Sequence, residues 1–279
     1  MNQVDTNTIR SSIERLNALP TIPNILKKLL KMLENPSTSL NDIGHFISHD
    51  PVITSKVLRM INSPIYGFPG RISSVNQAVI LLGLNVVKGM LLSVSVYDIM
   101  KKVMVGLWEH SLACAIASRL MAKKKGLKET EESSIAGLLH DIGKVALLLQ
   151  FKDSYESAIK LAERKGFAIM EAEKEVFIID HAKAGEWMSE KWSFPKNLIE
   201  IIGYHHKPNV SKNFPLETSI VHFADILVRG RGFGFAGDKT VPPVNEIAWT
   251  ILGFSNKDIK DILKELEESM EIANELFIE

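Results

Sequence analysis

A chain of 279 residues can hold one large buried core or two smaller ones. Hydrophobic residues make up 46% and charged residues 24%, and 33 Lys plus Arg balance 33 Asp plus Glu, which removes the electrostatic basis for non-specific nucleic-acid binding. The single cysteine, Cys114, excludes an internal disulfide, and the polar start (Asn2, Asp5, Asn7, Arg10) lacks a signal-peptide core, so a cytoplasmic protein is expected.

Everything long and periodic has helical spacing, which predicts an all-α protein. Leu26, Leu29, Leu30 and Leu33 mark a first helix, ended by Asn35-Pro36. Ser39, with Asp42 three residues on, reads as a capping box opening a second. Asp50-Pro51 reads as an N-cap followed by proline at the first helical position, opening a third helix through Val52, Ile53, Val57, Leu58 and Ile61. Asn62-Ser63-Pro64 and Gly67 then break the chain. Val75, Ala78, Val79 and Leu82 form a fourth helix closed by Gly83, and Val86, Val87, Met90, Leu91 and Val94 a fifth. The apolar stretch 78–96 is interrupted by Gly83, Asn85, Lys88 and Gly89, so it reads as packed helices and not as a membrane span. A junction over 100–107 would divide an N-terminal helical subdomain (1–103) from a second subdomain (104–279), with no linker between them and the two halves tightly packed.

The second half carries the chemistry. His110 leads into Leu112, Ala113, Ile116, Ala117 and Leu120. Ile135, Leu138, Leu139, Ile142, Val145 and Ala146 predict one buried helix holding His140-Asp141, with Lys144 a turn beyond His140 on the same face. A buried Asp beside a His costs several kcal/mol unless offset, and a divalent cation is the strongest offset available. The alternative without a metal is a salt-bridged Asp and a hydrogen-bonded core His. His181 opens a face continued by Ala184, Gly185, Met188 and Trp192, where Gly185 implies a close approach. His205-His206 ends the apolar run Leu198, Ile199, Ile201 and Ile202, with Pro208 as a stop signal, and Asp225 shares a face with Val221, Ala224 and Val228. Imidazole and carboxylate donors suit zinc, iron, nickel or manganese, and helical bundles build such centres from inward-facing side chains.

Three features lie outside that series. Gly232-Phe233-Gly234-Phe235-Ala236-Gly237 matches a dinucleotide fingerprint in letters only, because a helix precedes it and Pro242-Pro243 follows. A mobile loop carrying Arg229 and Arg231 near the mouth of the site is expected instead. From Ser255 onward Ile259, Ile262, Leu263, Leu266 and Met270 line one helix face, expected to pack on the bundle, with a homodimer contact as the alternative. Of the other histidines, His222 could orient Asp225, His49 could bond locally, and His45 has no assigned role.

His110, His140-Asp141 and Asp225 resemble the four-ligand pattern of the HD superfamily of metal-dependent phosphohydrolases. His181 with Gly185, and His205-His206, resemble the additional ligands of its two-metal members. The match is most specific to the HDOD family (HD-related output domain), because Leu19-Pro20-Thr21-Ile22-Pro23, His49-Asp50-Pro51, Asn62-Ser63-Pro64-Ile65-Tyr66-Gly67 and Ala78-Val79-Ile80-Leu81-Leu82-Gly83 resemble its N-terminal half in the family's order. The resemblance spans roughly residues 15–230. It implies an HD-type helical bundle and two divalent ions, one on His110, His140 and Asp225, the other on His181, His205 and His206, with Asp141 as the bridge. It also implies a bacterial signalling module acting through conformation or a protein partner. The alternative is a phosphohydrolase or phosphodiesterase acting on nucleotides or cyclic nucleotides, with Asp141 and Lys144 as its catalytic residues and Lys144 holding an oxygen of a phosphate-containing small molecule. Two departures bear on the alternative. His205-His206 runs into Lys207-Pro208-Asn209 without the Gly-Tyr-Pro element of the cyclic-dinucleotide phosphodiesterases, and Gly106 stands where three-metal members carry a carboxylate.

Overall fold

A computed structural model describes residues 4–15, 28, 32, 37–48, 51–63, 72–192 and 194–277. Among these, every regular element is helical and no strand occurs. The expected helix at 26–33 lies outside the described residues apart from 28 and 32, as do Leu19–Pro23, His49-Asp50 and Pro64–Gly67. No helix among the described residues is long and apolar enough to cross a membrane.

Helix α1 spans Thr6–Glu14, α2 Leu40–Ser48 and α3 Pro51–Ile61. The capping box before α2 is present: Asp42 N–H donates to Ser39 Oγ at 3.1 Å, and Ser39 N–H donates back to Asp42 Oδ2 at 3.0 Å. Pro51 occupies the first position of α3, as expected. Helix α4, Val75–Val103, is two helices joined across Gly83, whose φ of +76° and ψ of 166° leave helical geometry where the sequence called for a stop.

The second half continues with α5 (Leu107–Lys124), α6 (Thr130–Leu139), α7 (Ile142–Gln150), α8 (Lys152–Lys165), α9 (Ile169–Phe177), α10 (His181–Lys191), α11 (Lys196–Tyr204), α12 (Pro215–Arg231), α13 (Glu246–Leu252) and α14 (Asn256–Phe277). Helix α5 is the central strut: α6, α12 and α14 pack around it, while α10 lies across α7 and α11. From the N-terminal half, α4 packs on α5, α6 and α7, and α1 on α7 and α10, so the apolar core runs unbroken past residue 103. Helix α14 buries Ile262, Leu266 and Met270, the face expected to dock on the bundle.

One expectation is corrected. The segment 135–146 is two helices, with His140-Asp141 at the break between α6 and α7. Asp141 leaves the helical path with ψ 9°. The periodicity survives the break because both helices bury the same side.

Candidate metal centre

Two histidines are prepared in the same way. His140 and His205 each end a helix and turn Nδ1 back onto a backbone carbonyl three residues earlier, Gly137 O at 2.7 Å and Ile202 O at 2.8 Å. A carbonyl only accepts, so Nδ1 carries the proton and Nε2 keeps its lone pair. Both Nε2 atoms are buried without a hydrogen-bond partner. Burial pushes His140 down to about 4 and His205 well below the usual imidazole range, the latter helped by neighbouring rings, so both stay neutral at pH 7.

His181 is held from behind by a carboxylate. Its ring Nδ1 lies 2.7 Å from Glu173 Oε2, its backbone N–H donates to the same oxygen at 2.8 Å, and Tyr155 Oη donates to Glu173 Oε1 at 2.6 Å. The reversal that brings α9 and α10 together passes through Ile178, at φ +68°, a costly conformation for a β-branched residue. His181 Nε2 stands 3.0 Å from Asp141 Oδ1 and 2.8 Å from His206 Nε2. Two ring nitrogens that close require a shared proton or a shared cation. Burial alone would lower His181, but Glu173 and Asp141 raise it to about 9.

The other carboxylates meet cations of the chain. Asp141 Oδ2 lies 3.5 Å from His110 Nε2 and 3.4 Å from His140 Nε2, and accepts from Lys144 Nζ at 2.6 Å. Asp225 Oδ1 lies 3.1 Å from His110 Nε2 and 3.9 Å from His140 Nε2, and accepts from Arg229 Nε at 2.7 Å. Burial would raise both aspartates, yet His140, Lys144 and His181 around Asp141, and Arg229 and His110 around Asp225, hold them well below the usual carboxylate range. Lys144, fully buried, also donates to Ala236 O at 2.8 Å, and Arg229 to Asp238 Oδ2 at 2.9 Å.

All seven residues of the expected series therefore meet in one place. Their donor atoms fall into groups mutually within 4.8 Å: His110, His140 and Asp225 together with Cys114; His181, His205 and His206; and His140, Asp141 and His205 between them. Donors about 2.0–2.2 Å from one ion in a tetrahedron stand roughly 3.3–3.6 Å apart, close to the spacings around His110 and His140. With the partnerless Nε2 atoms, this chemistry fits divalent metal. Only His206 of the seven keeps more than a trace of exposure.

Several expectations change. Arg229 and Arg231 lie in the last turn of α12, and the loop after them is tied down: Phe235 N–H donates to Gly106 O at 2.9 Å, and a side chain at Gly234 would collide with Gly106 and His110 backbone. Its glycines serve that backbone contact. His222 does not orient Asp225; its Nδ1 donates to His205 O at 2.7 Å and its Nε2 accepts from Asn245 N–H at 3.0 Å, so it fixes the backbone of a putting-in-place histidine turn. Sequence reasoning misses Cys114 and Glu173 at the site, and places Arg229 only near its mouth, where the helix instead brings it onto Asp225. The signal for Cys114 and Arg229 was their i+4 spacing from His110 and Asp225; Glu173 offered only a charge between the core residues Ala172 and Val176.

The chain resembles known proteins in sequence and in fold. A curated Treponema pallidum (strain Nichols) protein, described as uncharacterized, is 27% identical across 96% of the chain, which spans 53% of that protein's length. The crystal structure of an HDOD domain protein of unknown function from Geobacter sulfurreducens superposes with a TM-score of 0.72 at 28% identity, covering 99% of this chain and 100% of that one. A structure from Marinobacter aquaeolei VT8, described as a candidate signal transduction protein, shares the fold at a TM-score of 0.71 and 18% identity, covering 98% of this chain and 65% of that one. The HDOD domain profile matches residues 19–208, more than half of the sequence, and the chain belongs to the HDOD family.

Proposed function

We propose that this chain is a signalling module in which a buried two-ion centre fixes the relative placement of helices, with output through a protein partner. One observation carries the reading: the ligand side chains come from α5, the α6–α7 break, α10, the end of α11 and α12, and all but His206 are essentially sealed from solvent. Metal bound there cross-links five distant stretches, and its binding free energy becomes conformational free energy. The signal-transduction description of the Marinobacter structure is in keeping with that role. The test is metal content after reconstitution, combined with a hydrolysis screen over nucleotides and cyclic dinucleotides, for the parent chain and Asp141→Ala. We expect bound metal, no turnover, and a changed stability in the variant; metal-dependent turnover lost in Asp141→Ala would refute the proposal.

The second reading, a phosphohydrolase, is favoured by one feature: two donor groups meet at Asp141, and the partly exposed His206 lies at the edge of one of them. A two-ion centre of this kind supplies a bound water of near-neutral pKa and stabilises charge on a transferring phosphoryl group. Here His110, His140 and Asp225 would hold one ion and His181, His205 and His206 the other, with Asp141 between. Glu173 and the carbonyls of Gly137 and Ile202 orient the rings. Lys144 would have to exchange a bond to Asp141 or Ala236 O for a phosphate oxygen, whereas the signalling reading leaves it where it is.

A further inference from the structure

We propose that Cys114 is a thiolate ligand of the ion held by His110, His140 and Asp225, an inference that rests on the metal centre described above. Cys114 lies one turn after His110 on α5, free and fully buried, with Sγ 3.6 Å from His110 Nε2. A sulfur at about 2.3 Å and an imidazole nitrogen at about 2.05 Å from one tetrahedral ion stand roughly 3.6 Å apart. Its position is built in: a Cβ at Gly137 would come within 2.6 Å of Cys114 O, so α6 crosses α5 at this residue and delivers the turn bearing His140 beside the sulfur. The second observation is His140 Nε2, fully buried, without a hydrogen-bond partner, and grouped with Cys114 Sγ, His110 and Asp225 within 4.8 Å.

The oxygens of Asp141 and Asp225 nearest His110 are already bonded to Lys144 and Arg229. A thiolate adds negative charge that no cation of the chain has claimed. On binding, the S–H bond breaks, a sulfur lone pair forms the sulfur–metal bond, and one proton per ion passes to the buffer. A set of two imidazoles, one carboxylate and one thiolate selects zinc, cobalt or iron over magnesium, calcium or manganese.

The test is the full chain loaded with Co(II), as the parent and as C114S and C114A. The parent should show both the visible d–d bands of bound cobalt and a near-ultraviolet sulfur-to-cobalt charge-transfer band. Both variants should lose the charge-transfer band and keep d–d bands. X-ray absorption of the zinc-loaded parent needs no variant and should show a sulfur neighbour at about 2.3 Å. Cobalt bound with d–d bands alone, together with only nitrogen and oxygen around zinc, overturns the thiolate and leaves the metal centre standing. Failure to take up either ion overturns both.

Discussion

Gly143→Ala tests the link between helix packing and the site. A Cβ at Gly143 would lie 1.9 Å from His181 O and 2.6 Å from Gly185 N, and one at Gly185 would lie 2.7 Å from Ile202 Cγ2. Helices α7 and α10 therefore touch backbone to backbone, and neither partner of the Gly143 contact can rotate aside. Restoring ordinary contact requires roughly 1.5 Å of separation. Overpacking of this kind costs about 1–3 kcal/mol, and a contact on rigid backbone belongs at the upper end. The same separation pulls His181 from Asp141, now 3.0 Å apart, and so opens the junction between the two donor groups. We expect urea denaturation of the metal-free variant to show a loss of about 3 kcal/mol, and metal analysis to show one ion fewer than in the parent. Gly230→Ala is the control: the position is helical and exposed, an added Cβ meets nothing within 4 Å, and the change should stabilise by up to about 1 kcal/mol. A Gly143→Ala protein with a loss below about 1 kcal/mol and full metal content would refute the reasoning.

Other perturbations follow from the same contacts. Glu173→Ala removes the acceptor of three buried donors, Tyr155 Oη, His181 N–H and His181 Nδ1–H, at about 1–3 kcal/mol each; a loss of less than about 2 kcal/mol in chemical denaturation would contradict the assigned network. In the metal-free protein His181, at about 9, sits above its unfolded value of about 6.5. Its contribution of about 3 kcal/mol is therefore complete below pH 6.5 and lost as pH rises through 9. His140, at about 4, works oppositely, because the unfolded chain takes up a proton below 6.5 that the folded one refuses. Stability against pH should thus peak near 6.5, and an alkaline arm that is flat between pH 7 and 9 would count against the His181 assignment. Lys144→Met leaves Asp141 buried without its nearest cation and should cost about 3–5 kcal/mol in the metal-free chain, far less when metal is bound; equal losses in denaturation with and without metal would show that Lys144 and metal do not compensate the same charge.

The helical class, Gly83 as a stop, the capping box at Ser39 and the close approach at Gly185 were legible because each is written in a few neighbouring residues. The convergence of His110, His140, Asp141, His181, His205, His206 and Asp225 was not: spacing alone permits separate accidents, and it was the ordered motifs of a known family that brought them together. Asp225 shows the limit of each source, since it lies beyond the residues matched by the HDOD profile and is placed at the site by α12. The break at His140-Asp141 escaped the periodicity because a change of backbone direction at one residue leaves the buried side of both helices apolar.

The largest revision concerns charge. From sequence, the cost of burying Asp141 beside His140 left two offsets open, a divalent cation or a salt bridge, and alongside the metal-compatible donor groups the bundle supplies two cations of its own, Lys144 on Asp141 and Arg229 on Asp225, both almost fully buried. A carboxylate so compensated does not drive folding to depend on metal, unlike a cluster of bare ligands that repel until an ion arrives. The metal-free chain can then be a folded state in its own right. An ion on His110, His140 and Asp225 would compete for oxygens already bonded to Lys144 and Arg229, so its binding would shift side chains that reach Ala236 in the loop and Asp238 beyond it. A centre built on competing cations has two charge-balanced arrangements, which is what a switch requires and a permanently structural ion does not.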